Sequence, residues 1–278
     1  MSTQTEISPF TKPRLSNEEV ARYRDEGYLI YAHDVLPPEK FEKLKNHFEQ
    51  KLAALPPDIR PESMDVPHFA DTALFEWLFA DEVLDLVEPI TGPDIALFSS
   101  HFICKPQGDG KRVPWHEDSA YWRGQIEPME IVTLWLAIDP SSPENGGMSV
   151  IPRTHREAHA GYSDYAEVDS SKNVFGTEII QPQRDESRAV PCILQPNQAS
   201  LHDARIMHGS PANTSSIRRC GYTMRYMSSA CRLSEKQREF HNIYLARGRD
   251  LANQQYADPN ENYQWLIDKR ASNNRRGH

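Results

Sequence analysis

Val113-Pro114-Trp115-His116-Glu117-Asp118-Ser119-Ala120-Tyr121-Trp122 is rich in aromatic residues, follows the turn-like run Gln107–Lys111 and is closed by Gly124, so it reads as a β-strand. In a strand, residues two apart share a face, which aims the His116 imidazole and the Asp118 carboxylate at one point. Two donors do not make a metal site. A set of two histidines and one carboxylate, which leaves coordination positions open, needs another imidazole, and Leu201–Ser210 offers one in His208. Beyond it, Arg218–Tyr226 is a second strand-like run that opens on a guanidinium, a group suited to gripping a carboxylate through paired hydrogen bonds. His116 and His208 stand about ninety residues apart, so they meet only if non-neighbouring strands are brought together, as in a double-sheet jelly roll.

The chain has 278 residues, 38% hydrophobic and 26% charged, the composition of a globular protein with room for a sizeable core. Its formal net charge of −9 provides no basic surface for nucleic acid. The only basic run is Lys269-Arg270 with Arg275-Arg276, which reads as a solvated end. Cys104, Cys192, Cys220 and Cys231 lie far apart with no CxxC pairing and read as reduced core residues of an intracellular protein. Met1–Glu6 is polar and acidic, unlike a signal peptide, and no apolar run reaches membrane-spanning length. The expectation is a cytoplasmic protein without membrane or nucleic-acid partners.

Residues 1–14 read as a loose arm. Ser16-Asn17-Glu18-Glu19 is a capping box that opens a helix to about Asp25, ended by Gly27 and followed by the strand Tyr28–Tyr31. Pro37-Pro38 starts a second helix, with Phe41, Leu44, Phe48 and Leu52 at helical spacing. Residues 56–72 form a proline-rich loop, helical pieces follow around Ala73–Phe79 and Asp81–Pro89, and Asp94–Lys105 is a long strand. Strands are expected at Met129–Ile138, Met148–Pro152, Val190–Leu194 and Ala199–His202. Residues 157–188 read as irregular, and the segment after 232 as helical and polar. Helices first, then short strands with glycine and proline turns, point to a mainly β fold with flanking helices, a sandwich or barrel. With neither an internal repeat nor a linker between two cores, residues 1–278 read as one domain: helices over 15–90, a β core over about 94–231 and a helical segment over 232–278.

On these residues the chain resembles the phytanoyl-CoA dioxygenase family over roughly residues 15–250. Three motifs carry the resemblance. One is Trp115-His116-Glu117-Asp118 with Tyr121-Trp122. Another is Trp135–Asp139 running into Glu144-Asn145-Gly146-Gly147-Met148 and Ile151–His155. The third is His208-Gly209-Ser210 with Asn213 and Arg219. The resemblance implies a double-stranded β-helix (a cupin-like jelly roll) that uses iron(II), 2-oxoglutarate and oxygen to hydroxylate an unactivated C–H bond of a small molecule, releasing succinate and carbon dioxide. It places the metal ligands on His116, Asp118 and His208. The arginine for the far carboxylate of 2-oxoglutarate falls on Arg219, eleven residues past His208, with Ser210 beside it and Trp135 near the cosubstrate. Thr133, on the same strand face as Trp135, is expected beside the cosubstrate with it. Arg153-Thr154-His155 departs from the family's usual Gly-Ser-His at a turn. Relatives that halogenate lack the carboxylate, and this chain keeps Asp118.

Alternatives stand beside each assignment. In a strand only one of Arg218 and Arg219 faces inward. Ser210 is also a plain turn serine, Trp135 an ordinary core residue, and Tyr121 and Trp122 either wall a substrate pocket or fill the mouth of the fold. Lys105 either touches a carboxylate or substrate or is simply solvated, the reading its sequence context favours. The same three ligands also suit a metal- and 2-oxoglutarate-binding sensor without turnover, or a zinc hydrolase with an activated water.

Overall fold

The computed structural model describes residues 10–57 and 59–274, so Met1–Glu6 and Arg275-Arg276 lie outside the described residues. Ser16 caps the first helix, Asn17–Glu26, in a complete capping box, and Gly27 ends it at φ 82°. A residue with a side chain is strained at that angle, so glycine fits the turn into the strand Tyr28–Tyr31. The second helix, Pro38–Ala53, buries Phe41, Leu44 and Phe48, and a third, Asp81–Thr91, buries Val83, Leu84, Leu86 and Val87.

These helices cover one face of a seven-stranded antiparallel sheet. Its order is Tyr28–Tyr31, Ala199–Asp203, Ile131–Ala137, Arg219–Ser228, Ile95–Lys105 and Tyr244–Arg247, with Met64–Asp65 also paired to Ile95–Lys105. Strand parity divides the sheet. Phe102, Cys104, Leu134, Leu136, Leu201, Cys220, Tyr222, Met224 and Tyr226 join the core beneath the helices. Their alternates His101, Trp135, His202, Arg219, Thr223 and Arg225 line a cavity on the other side. Each large apolar side chain fully buried in such a core contributes about 1.5–3 kcal/mol. The cavity face is polar and is kept for other work.

A second sheet closes that cavity in the order Val190–Pro191, Ser149–Val150, His208–Ser210 and Val113–His116. Here the expectation of a mainly β double-stranded β-helix is corrected. The fold is mixed α/β with separate open sheets, and among the described residues no ladder joins them into a closed barrel. The strands of the smaller sheet run only two to four residues and pair among themselves, so the two sheets face each other across the cavity without sharing a ladder. Two local expectations also change. Residues 157–188 contain a hairpin, Tyr165–Glu167 with Thr177–Ile179. The segment after 232 contributes the strand Tyr244–Arg247 to the large sheet as well as the helix Gln264–Asn274. All four cysteines are free and buried.

Candidate metal centre

The stretch read as one strand is divided. The ladder runs over Val113–His116, and Asp118–Trp122 is a short helical turn. Glu117 sits between them, fully buried, and its carboxylate accepts from Gly161 N at 3.1 Å and Ser163 Oγ at 3.0 Å. Ser119 N donates to Ala204 O at 2.8 Å. These anchors lift the backbone out of the sheet after His116, so Asp118 reaches the site from a helical turn rather than by strand alternation. His208 opens its own strand directly opposite His116. One potential ligand atom from each of His116, Asp118 and His208 lies within 4.8 Å of the others, and all three residues are buried.

The protonation pattern suits a cation. Both histidines direct Nδ1 at a backbone carbonyl two residues earlier: His116 at Pro114 O (2.8 Å) and His208 at Ile206 O (3.0 Å). A carbonyl only accepts, so Nδ1 carries the hydrogen and the Nε2 lone pair is left free. Burial, with His208 beside it, pushes His116 down to about 3, and burial lowers His208 too, so neither imidazole is charged at neutral pH. Burial opposes ionisation of Asp118, but the charge of Arg225 beside it holds its carboxyl well below the usual range. Two neutral imidazoles and a carboxylate form a donor set that fits a first-row divalent cation such as iron(II).

At the other end of the cavity stands Arg219, 2% exposed, its guanidinium 4.4 Å from the centre of the Trp135 ring. Burial pushes its pKa down to about 10, which leaves it charged at neutral pH. Its cross-strand partner Lys105 is fully buried, which corrects the expectation of a solvated lysine. Lys105 Nζ donates to Ser210 Oγ at 2.6 Å and to Pro211 O at 2.5 Å. Burial, and Arg219 after it, push Lys105 down to about 6. Arg218 points away and binds Glu49 and Asp139. Arg219, Ser210 and Trp135 thus line one cavity with the metal-ligating cluster, and Arg218 does not.

Thr133 does not line the cavity but stands behind the metal-ligating cluster, its Oγ1 donating to Asp118 Oδ2 at 3.3 Å. Neither Tyr121 nor Trp122 lines the cavity. Tyr121 is 42% exposed at its rim, with its ring 6.0 Å from that of His116, and Trp122 packs edge-on against Phe98 at 4.9 Å. Sequence reasoning missed Arg225, whose Nε lies 3.1 Å from Asp118 Oδ2, and Phe175, whose ring is 4.9 Å from that of His116. Arg225 was findable, because six residues past Arg219 on one strand is the same face. Phe175 had no such signal, since it lies in an irregular segment. His202 lies beside the cluster, with its Nε2 3.9 Å from Asp118 Oδ2 and both ring nitrogens buried without a hydrogen-bond partner.

Residues 23–221 match the phytanoyl-CoA dioxygenase (PhyH) protein family. A phytanoyl-CoA dioxygenase domain-containing protein 1 homolog of Caenorhabditis elegans is 29% identical over 163 residues, 58% of this chain and 56% of that protein. A probable alpha-ketoglutarate-dependent hypophosphite dioxygenase of Stutzerimonas stutzeri is 27% identical over 158 residues, covering 55% and 52%. The chain thus spans about half the length of these two relatives. Among solved structures, the apo form of the non-heme monooxygenase ThoJ superposes with a TM-score of 0.70 at 20% identity, covering 91% of this chain and 93% of that one, a likeness of fold. The cytoplasmic expectation is corrected by four mammalian relatives. The phytanoyl-CoA dioxygenases of human, mouse, cattle and rat, 23–27% identical, are peroxisomal, so a polar first stretch and unpaired cysteines do not assign a compartment. Among the described residues no helix is long and apolar enough to cross a membrane.

Proposed function

The chain belongs to the phytanoyl-CoA dioxygenase family, and from that premise we propose that it is an iron(II)- and 2-oxoglutarate-dependent oxygenase that hydroxylates a C–H bond of a small molecule. The observation that carries this reading is the convergence of two neutral imidazoles and an ionised carboxylate, His116, His208 and Asp118, in one buried cluster. Iron(II) held there supplies the activation of oxygen. In the overall reaction 2-oxoglutarate, oxygen and substrate give succinate, carbon dioxide and the hydroxylated product.

The chain's own residues bind, orient and exclude water. Arg219 holds the far carboxylate of 2-oxoglutarate, because a carboxylate entering a buried cavity needs a cation in fixed geometry. Ser210 and Lys105 flank that carboxylate, and Trp135 gives Arg219 a flat surface to rest on. Tyr121 stands at the rim where substrate enters. Phe175 covers the His116 ring and keeps water from the cluster. The described residues work as one domain, since the helices over 15–90 share their core with the sheet that carries the site.

The test is oxygen-dependent succinate formation after anaerobic loading with iron(II). The native protein should form succinate and His208→Ala none. Full activity in His208→Ala, or equal activity with zinc, sinks the assignment.

A further inference from the structure

Asp118 is the one ligand with two oxygens to offer, and its surroundings tell them apart. Oδ2 receives Arg225 Nε at 3.1 Å and Thr133 Oγ1 at 3.3 Å, while His202 Nε2 stands beyond hydrogen-bond range at 3.9 Å. Oδ1 lies 3.8 Å from His116 Nε2, and Arg225 Nη2 reaches it only at 3.5 Å. The two shorter donor contacts converge on one oxygen and leave the other nearer the His116 imidazole.

Several elements build this arrangement. Arg225, Thr133 and His202 are successive cross-strand neighbours on the cavity face of the large sheet. A register shift falls just after Arg225, where the strand bends against Ile95–Lys105, and such bulges re-aim side chains. The Arg225 guanidinium lies 5.4 Å from the centre of the Trp122 ring, on the same helical turn as Asp118. The Arg225 side chain is 12% exposed and that of Asp118 5%.

We propose that Arg225, assisted by Thr133, is a positioning residue that commits Asp118 to ligation through Oδ1 alone. The proposal rests on Asp118 being a metal ligand. A carboxylate that chelates through both oxygens takes up a coordination position which the cosubstrate or oxygen requires. Here Oδ2 first has to surrender two donors, one of them charged, and charge-assisted hydrogen bonds in a buried site are the stronger kind. Lysine keeps the charge but lacks the planar fork that places Nε on one chosen oxygen. Simple neutralisation of Asp118 is therefore separable from selection of its oxygen.

The experiment counts metal-bound water on the manganese(II)-loaded protein by water-proton relaxation, alongside manganese affinity. Three protein ligands leave about three waters on a six-coordinate ion. Arg225→Met should lose about one of them as Oδ2 joins the metal, and Arg225→Lys should not restore the native count. Thr133→Val, a smaller change that removes one donor, should move the count the same way and carries the test if Arg225→Met does not fold. An unchanged count and affinity in Arg225→Met overturns the proposal. So does a count that rises to that of Asp118→Ala, because Arg225 then only keeps the carboxylate within reach. If the native protein binds no manganese(II), Asp118 is not a ligand, and the parent reading falls together with this one.

Discussion

Arg218 and Arg219 are neighbours in sequence and opposites in environment. Arg218 ties the Pro38–Ala53 helix to Asp139 through a partly exposed pair of bridges, whereas Arg219 is buried beside Trp135 at the far end of the metal cavity. Loss of one partner of a buried charge pair costs several kcal/mol, and tenfold in affinity is only about 1.4 kcal/mol. Arg219→Ala should therefore raise the KM for 2-oxoglutarate at least about tenfold, with Lys a partial substitute, and Arg218→Ala should change it little. A titration in which Arg218→Ala is the damaging variant refutes the assignment. Lys105 adds a pH dependence. In the free protein burial holds it at about 6, so at pH 7 it is largely neutral. A dianion bound beside it favours the charged form and raises its pKa. Between about 6 and that raised value, binding takes up a proton, so 2-oxoglutarate affinity should fall as pH rises, by at most about tenfold per pH unit. Calorimetry in buffers of different ionisation enthalpy should detect the proton, and Lys105→Met should abolish both effects. A flat native profile from pH 6.5 to 8.5 contradicts this.

The strand Arg219–Ser228 carries most of the site because its two faces do different work. Even-numbered Cys220, Tyr222, Met224 and Tyr226 enter the core, and odd-numbered Arg219, Thr223 and Arg225 enter the cavity. Between them Gly221 makes room for Trp135. A Cβ there would stand 2.0 Å from Trp135 Cζ2, so the indole must yield towards the cavity and disturb the Arg219 guanidinium packed on it. Gly221→Ala should destabilise the protein by about 1–3 kcal/mol, as overpacking does, and weaken 2-oxoglutarate through the displaced Arg219. A variant with native melting temperature and native KM would falsify this packing argument. The parity that places these residues was legible beforehand, since alternation needs only the sequence, and so was the capping box at Ser16. The helical turn at Asp118 was not. It depends on Glu117 finding Gly161 and Ser163 some forty-five residues on, a long-range anchor without a local signature. The strand Tyr244–Arg247 was hidden for a related reason: its residues are mostly half-buried at a sheet edge, so they lack the apolar pattern of a central strand.

At the scale of the whole molecule, sequence spacing indicated which distant residues meet, and it misjudged how the sheets close. Sandwich, barrel and separate open sheets all bring His116 next to His208. They differ in edge hydrogen bonds, which side-chain pattern does not encode. What joins the halves of this chain is therefore open to measurement at the site itself. Val113–His116 and His208–Ser210 form a short, irregular ladder in the smaller sheet, and Asp118 reaches the same point from a separate turn. A cation held by all three cross-links segments about ninety residues apart, and it binds the folded chain far better than the unfolded one. At a hundredfold excess over its Kd, such a ligand stabilises by about 2.7 kcal/mol. For a protein of this size that corresponds to a rise in Tm of about 5 °C. Manganese(II), or iron(II) without oxygen, should produce the shift in the native protein, a chelator should reverse it, and His208→Ala and Asp118→Ala should show little of it. If the native protein and His208→Ala respond alike, the stabilising cation lies elsewhere and the three residues do not form the metal site.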